Sequence, residues 1–274
     1  DAAGIQPRDV IVKIDGLLTR DFSLDEAAER MRGKPGSHVI LTISHDAGPE
    51  QDVDIVRDRI SLNPVSFSRK HVSKALDVGY IRLNQFNANA TEAIAQAIEE
   101  LEDQGIDGYI LDLRNNPGGL LQAGIEVAKF WLTNSVIVHT VDRYGIQETV
   151  DTYQPALTQL PLVVLVNSGT ASASEILSGA LQDNHRATIV GQRTFGKGLI
   201  QSLFNLSDGS GLAVTVARYE TPNHTDINSL GIQPDIVVEP GLIRFSAVAT
   251  EDDPQYAKAL EVLAEVTGNQ SKLS

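Results

Sequence analysis

Residues 9 to 15 (Asp-Val-Ile-Val-Lys-Ile-Asp) alternate between apolar and polar positions and end at Gly16, which predicts a strand. Leu24 to Met31 then reads as a short helix. Ser23 is placed to cap it, and Glu26 completes the capping-box spacing. Gly33-Lys34-Pro35-Gly36 stops that helix. Val39 to Ile43 and Asp52 to Val56 predict two strands around an Ala-Gly-Pro turn. A unit of about 60 residues built this way is small for an independent core. Arg57 to Lys74, which contains Pro64, reads as a linker.

A different regime follows. Gly79 to Leu83, Tyr109 to Leu113, Val136 to Thr140, Leu162 to Val166 and Thr188 to Val190 predict strands. Between them, Thr91 to Leu101, Ala123 to Leu132 and Ser172 to Leu181 predict helices; the first sets Ile94, Ala97, Ile98 and Leu101 on one face. Strands alternating with helices argue for an α/β domain with a largely parallel sheet. Leu199 to Phe204 and Leu212 to Val216 predict an antiparallel pair around Asp208-Gly209. Residues 251–274 read as an acidic helix, Ala257 to Val266, with a polar tail. The expected division is residues 1–60, residues 61–250 with a linker over 57–74, and residues 251–274.

Composition narrows the chemistry. The 274 residues are 42% hydrophobic, enough for a substantial core. A formal net charge of -14 at pH 7 argues against nucleic acid as a partner. The absence of cysteine removes disulfides, thiol catalysis and cysteine-based zinc sites together. No segment has the length and apolarity of a membrane-spanning helix. The first residues, Asp1-Ala2-Ala3-Gly4-Ile5, read like the interior of a domain, so upstream residues are expected.

Three segments carry candidate chemistry. Asp112-Leu113-Arg114-Asn115-Asn116-Pro117-Gly118-Gly119 links a strand to a helix. It is either an ordinary turn or half of an oxyanion hole supplied by the Gly118 N–H; such a donor is worth about 3 to 4 kcal/mol. The second segment carries Ser172 at the start of a helix, where the N–H of Ala173 is free to be the other donor. An N-cap is the plainer role for such a serine, and Ser168 and Ser174 compete with it as nucleophile. The third segment carries Lys197, 25 residues after Ser172 and wrapped by Gly196 and Gly198. A serine hydroxyl needs a base to take its proton, and a buried lysine can serve.

Other readings are weaker. Gly191-x-x-x-x-Gly196-Lys197 imitates a phosphate loop, but Gly198 follows where Ser or Thr should stand, and a strand is expected next instead of a helix. No Gly-x-Ser-x-Gly elbow and no Ser-x-x-Lys serves as an alternative. The six histidines form no metal-ligand pair at helical spacing. His185 is the one alternative base to weigh, although a solvated helix-end role suits it better.

In three blocks the chain resembles the C-terminal processing peptidases, also called tail-specific proteases. These are Asp112 to Gly119, Ser172 to Asp183 and Thr194 to Gln201. Tyr219 to Asp235, with Thr-Pro-Asn-His-Thr-Asp-Ile-Asn and Gly-Ile-Gln-Pro-Asp, is similar to the family's closing motif in its cyanobacterial and chloroplast form. Those members trim the C-terminal extension of a photosystem II reaction-centre subunit. The resemblance implies a crotonase/Clp-like α/β catalytic domain. In it Ser172 is the nucleophile, Lys197 the general base and Gln201 the group that orients the lysine amine. The amides of Gly118 and Ala173 form the oxyanion hole, and Asp183 supports the helix end. It implies amide hydrolysis through an acyl-enzyme, with no metal or nucleotide, on protein C-terminal tails in the periplasm or thylakoid lumen.

The first 60 residues resemble the latter part of the family's PDZ domain, through Ala3-Gly4-Ile5, Asp9-Val10-Ile11 and Arg32 to Gly36. Its opening strands and carboxylate-binding loop are then expected before Asp1, and the linker is expected to act as a hinge. Arg8 stands where the family often has the glycine of a Pro-Gly-Asp turn. The alternative to an enzyme is a PDZ-type scaffold that holds tails without cutting them.

Overall fold

The computed structural model describes residues 4–5, 9–45, 48–58, 63–73, 76–206, 209–241 and 247–270. Arg8, Ala3 and Asp208, each singled out above, lie outside the described residues. The chain forms two compact units, residues 1–62 and 63–274.

In the first unit, β1 (Val10–Ile14), β2 (Leu17–Leu18), β3 (His38–Ser44) and β4 (Gln51–Val56) form an antiparallel sheet in the order β2-β1-β3-β4. Helix α1 (Leu24–Met31) starts where the capping box predicts: the Glu26 carboxylate accepts the Ser23 N–H at 2.8 Å, and Ser23 Oγ accepts the Glu26 N–H at 3.3 Å. Ile14, Val39, Leu41 and Ile43 make a small core, with Ala27 and Met31 packed on it from α1.

The second unit is built on a six-stranded sheet. Its strands are β5 (Val65–Ser73), β6 (Leu76–Leu83), β7 (Gly108–Asp112), β10 (Leu162–Val166), β11 (Thr188–Gly191) and β14 (Ile236–Val237), in the order β14-β11-β10-β7-β6-β5. All neighbours pair in parallel except β5 and β6. Central strands are buried on both faces, so their side chains divide with period two. Leu162, Val164 and Val166 enter one core beside Ile94 and Leu101 of α2 (Ala90–Asp103), Ile125 of α3 (Leu121–Lys129) and Leu177 of α4 (Ala173–Asp183). Val163 and Leu165 enter a second core beneath Tyr256, Ala259 and Leu263 of α5 (Pro254–Gln270). A four-stranded antiparallel sheet completes the unit. It consists of β8 (Ser135–Asp142), β9 (Gly145–Thr152), β12 (Leu199–Asn205) and β13 (Gly211–Glu220), in the order β12-β13-β8-β9.

Two expectations are corrected. Residues 65–73 of the expected linker are strand β5, paired with β6 from Val65↔Leu83 to Ser73↔Leu76. A hinge therefore cannot run over the whole of 57–74. The polar run Ser-Arg-Lys-His hides this strand in the sequence because one of its faces meets solvent. The C-terminal helix is not a separate appendage either: it is longer than expected and covers one face of the central sheet. Strand β9 was not anticipated, because Gly145 to Thr152 is an exposed edge with little apolar character.

Candidate active site

The parallel strands deliver the three sequence segments to one end of the sheet. β7 ends at Asp112, β10 at Val166 and β11 at Gly191, and parallel α/β sheets place their sites beyond such carboxyl ends. Side chains then join the loops. Thr170 Oγ1 donates to the Leu113 carbonyl at 2.8 Å, and the Asn115 N–H donates to Asn167 Oδ1 at 2.8 Å. The Ala171 N–H donates to the Asn116 carbonyl at 3.0 Å.

Ser172 sits at the N-terminal end of α4 with φ 59° and ψ -119°. This is a strained conformation for a residue with a Cβ, and such strain persists only where the surroundings over-determine it. Here they do. Glu175, one turn into α4, is fully buried and accepts four hydrogen bonds. Its Oε2 takes the N–H of Ser172 and the N–H of Lys197, each at 2.8 Å. Its Oε1 takes the N–H of Gly196 and the hydroxyl of Thr194, each at 2.6 Å. Two main-chain nitrogens that share one oxygen atom lie within twice that 2.8 Å bond of each other, so the Ser172 and Lys197 backbones are neighbours.

Gly118 lies against the same place. A Cβ on it would stand 2.6 Å from the Ala171 carbonyl oxygen, 2.8 Å from Ser172 Cβ and 2.9 Å from the Ala173 nitrogen, and its φ is +92°. Only glycine fits there. The Ala173 N–H has no hydrogen-bond acceptor among the described residues. The Gly118 N–H differs from expectation: it donates to Asn116 Oδ1 at 3.0 Å. Asn116 is fully buried and its amide group needs partners; the other end of that amide donates to the Leu83 carbonyl at 2.8 Å.

The competing serine Ser174 is fully buried and donates to the Asn116 carbonyl at 3.1 Å, so it is not presented as a nucleophile. Ser168 is exposed in the turn before Thr170. His185 lies past the far end of α4, about 16 Å from Ser172 at 1.5 Å per residue over the 11-residue helix, too far to act as its base. Asp183, at the same end, accepts the Asn223 N–H at 2.8 Å and so tethers the closing motif. The segment after Lys197 is strand β12, which removes the phosphate-loop reading.

Lys197 departs from expectation in its surroundings. It was expected to be buried, but the buried members of its loop are Gly196 and Gly198, and Lys197 is exposed. The glycines serve backbone packing: a Cβ on Gly198 would stand 2.5 Å from the Asn228 nitrogen, and one on Gly196 would stand 3.0 Å from the Ser229 backbone. Gln201 is also exposed, on β12 opposite Thr215. Among the described residues neither the Lys197 amine nor the Gln201 amide has a hydrogen-bond partner, so the expected contact between them is not made in this arrangement.

Behind the Gly118 loop lies a second buried cluster. Arg114 makes ion pairs with Asp112 at 2.7 Å and with Asp253 at 2.8 Å, and Tyr80 donates its hydroxyl to Asp112 at 2.7 Å. Burial alone would lower the Arg114 pKa, but the two carboxylates outweigh it and raise it. Burial likewise pushes Asp253 up, and the bonds from Arg114 with the N–H groups of Ala249 and Tyr256 hold it below the usual carboxylate range. Burial, then the Asp112 charge, pushes the Tyr80 phenol well up. This cluster ties the segment before α5 to the loop that carries Gly118. The singled-out candidates omitted Glu175, Asn116 and Arg114. Glu175 alone left a signal, because Ser172-x-x-Glu175 has capping-box spacing.

Comparison with known proteins identifies the family. Residues 77–238 match the model of peptidase family S41, and residues 1–44 match a PDZ domain model. The chain is 58% identical over 265 residues to a carboxyl-terminal-processing protease of Synechocystis sp., covering 96% of this chain and 62% of that protein. It is 50% identical over 240 residues to carboxyl-terminal-processing peptidase 2, chloroplastic, of Arabidopsis thaliana, covering 85% of this chain and 46% of that protein. The chain thus spans less than two thirds of the length of these relatives. A solved photosystem II D1 C-terminal processing protease superposes with a TM-score of 0.64 at 42% identity, over 87% of this chain and 65% of that one. With the family model spanning most of the α/β unit that assembles Ser172, Lys197 and Gly118, this chain belongs to peptidase family S41.

Proposed function

We propose that this chain carries the catalytic part of a serine endopeptidase that cuts protein substrates near their C-termini. In this reading Ser172 attacks the scissile carbonyl and Lys197 takes its proton. The C–N bond then breaks, the lysine returning that proton to the leaving amine, and a water deprotonated by the lysine hydrolyses the acyl-enzyme and restores the serine hydroxyl. The Ala173 N–H receives the developing oxyanion. The Gly118 N–H joins it by sharing its hydrogen between Asn116 Oδ1 and the oxyanion, as three-centre bonds allow. The single observation that carries the reading is the Glu175 carboxylate, which holds the Ser172 and Lys197 backbones on one oxygen atom.

The exposed Lys197 has a place in this mechanism. A substrate lying over the site excludes water, and burial disfavours the charged form of an amine. Gln201 then becomes the group that orients the amine. The PDZ-like unit captures the tail. One relative is named chloroplastic and another a photosystem II D1 C-terminal processing protease. These names support the C-terminus of a photosystem II subunit as the substrate class proposed for this chain, with an exported or lumenal location as part of the same proposal.

The test is cleavage of an unstructured protein with an apolar C-terminus by the parent, Ser172→Ala, Lys197→Ala and Lys197→Arg. Hydrolysis by the parent and loss in all three variants is the expected result, because a guanidinium cannot give up its proton. Activity that survives in Lys197→Arg would remove lysine as the base. Tail binding by the parent without any cutting would leave the scaffold reading in its place.

A further inference from the structure

Among the described residues the sheet edges are guarded, with one exception. An unpaired strand edge invites another chain to add to it, and proteins blunt such edges with charges, proline or short length. Strand β4 carries Asp52 and Asp54, β5 carries Arg69 and Lys70, and β9 carries Glu148 and Asp151. β2 and β14 are two residues long. β12, at the end of the order β12-β13-β8-β9, has seven residues (Leu-Ile-Gln-Ser-Leu-Phe-Asn) with neither charge nor proline. Its pairing with β13 skips a residue on β13, at Val216, so β12 itself carries no bulge. Beyond that ladder, residues 199–205 make no backbone hydrogen bond among the described residues.

The position of this open edge gives it a use. β12 starts two residues after Lys197. It also presents apolar side chains to solvent, with Leu203 79% and Phe204 50% exposed. We propose that β12 receives an extended segment of the polypeptide substrate as an added strand, main chain to main chain, beside the Ser172 and Lys197 site. The inference rests on the peptidase reading above and assigns the surface that aligns the substrate for it. Strand addition draws affinity from backbone hydrogen bonds at alternate residues, while side chains along the edge set preference. An uncharged, apolar edge therefore favours substrates whose cleaved segment is itself extended and apolar.

The experiment is a backbone N-methyl scan of a fluorescent, unstructured peptide with an apolar C-terminus. Binding is read by anisotropy with Ser172→Ala and cleavage with the parent. Methylation is expected to weaken binding about five- to tenfold at every second position across the docked segment, and to change it less than about twofold between them. Leu203→Lys and Phe204→Lys, at exposed positions, are expected to keep the parent Tm. They should lower kcat/KM for the peptide about tenfold and leave hydrolysis of a small activated ester unchanged. Alternating losses that vanish when Leu203→Lys is added, without any cleavage by the parent, would leave β12 as a docking strand and remove the peptidase reading. Alternation unchanged by Leu203→Lys would assign it to the PDZ-like unit and overturn the docking strand. Cleavage with a flat scan, or an absence of binding, would overturn the docking strand. A flat scan together with concentration-dependent dimers that dissolve in Leu203→Lys would assign the edge to a second copy of the chain instead.

Discussion

Glu175 and Asp112 are both fully buried acidic side chains, and both tie together segments far apart in the chain, yet their partners differ in kind. Asp112 shares Arg114 with Asp253, so charge meets charge in a buried triad. Glu175 has no ion pair among the described residues and is satisfied by three main-chain N–H groups and one hydroxyl. Removing one member of a buried ion cluster leaves an uncompensated charge, which is chiefly a cost in stability. Removing the acceptor of oriented backbone dipoles lets the loops drift, which is chiefly a cost in alignment. One anchor thus holds the unit together, and the other sets the relation of Ser172 to Lys197.

The sharpest attempt to break this contrast is Arg114→Leu. It should destabilise the protein by about 3–5 kcal/mol, read from urea unfolding, because Asp253 remains buried without its cation and Asp112 keeps only Arg82, 3.8 Å away. Glu175→Gln comes next. Its amide nitrogen faces donors, so at least one loop is released; kcat should fall about a hundredfold, with a stability loss of about 1–3 kcal/mol. Equal losses of stability in the two variants, with kcat of the folded Glu175→Gln protein unchanged, would collapse the distinction.

Acid sharpens it further. The folded-state pKa of Asp253 is lowered, so its contribution is present above the ordinary carboxylate range and lost as pH falls through the folded value. The urea midpoint of the parent should therefore drop below about pH 4. Arg114→Leu should lose less on acidification, since protonation relieves its stranded carboxylates. The smallest effect is expected at Asp183, which holds the Asn223 N–H. Asp183→Ala should cost about 1 kcal/mol, and Asp183→Asn, which keeps an acceptor oxygen, less than about 0.5 kcal/mol. An Asn variant as impaired as the Ala variant would mean that the charge matters there, and not the tether alone.

The sequence and the structure agree best where local pattern decides. The parallel strands are continuous apolar runs, and α1 begins at its capping box, so both were legible. Strands β5 and β9 were hidden because each has an exposed face, and polar residues erase the signal there. The meeting of Gly118 with Ser172 and Ala173 was expected from a glycine turn and a helix start, both of which offer N–H donors, while the choice of Ser172 over Ser168 and Ser174 rested on the family resemblance. The engagement of the Gly118 N–H by Asn116 was not, since it depends on a buried side chain needing a partner.

The central parallel strands and the helices between them, the spacing of Ser172 from Lys197 and the family were determined by the chain's own pattern. Tertiary structure alone decided that the glycines beside Lys197 admit the backbones of Asn228 and Ser229 instead of burying the amine. It alone decided that Glu175, 22 residues before Lys197, fixes both the Ser172 and the Lys197 loops, and that β12 is an open edge. The reason is physical: propensity and periodicity act over a few residues, whereas burial, shared hydrogen-bond acceptors and free sheet edges exist only once distant segments meet.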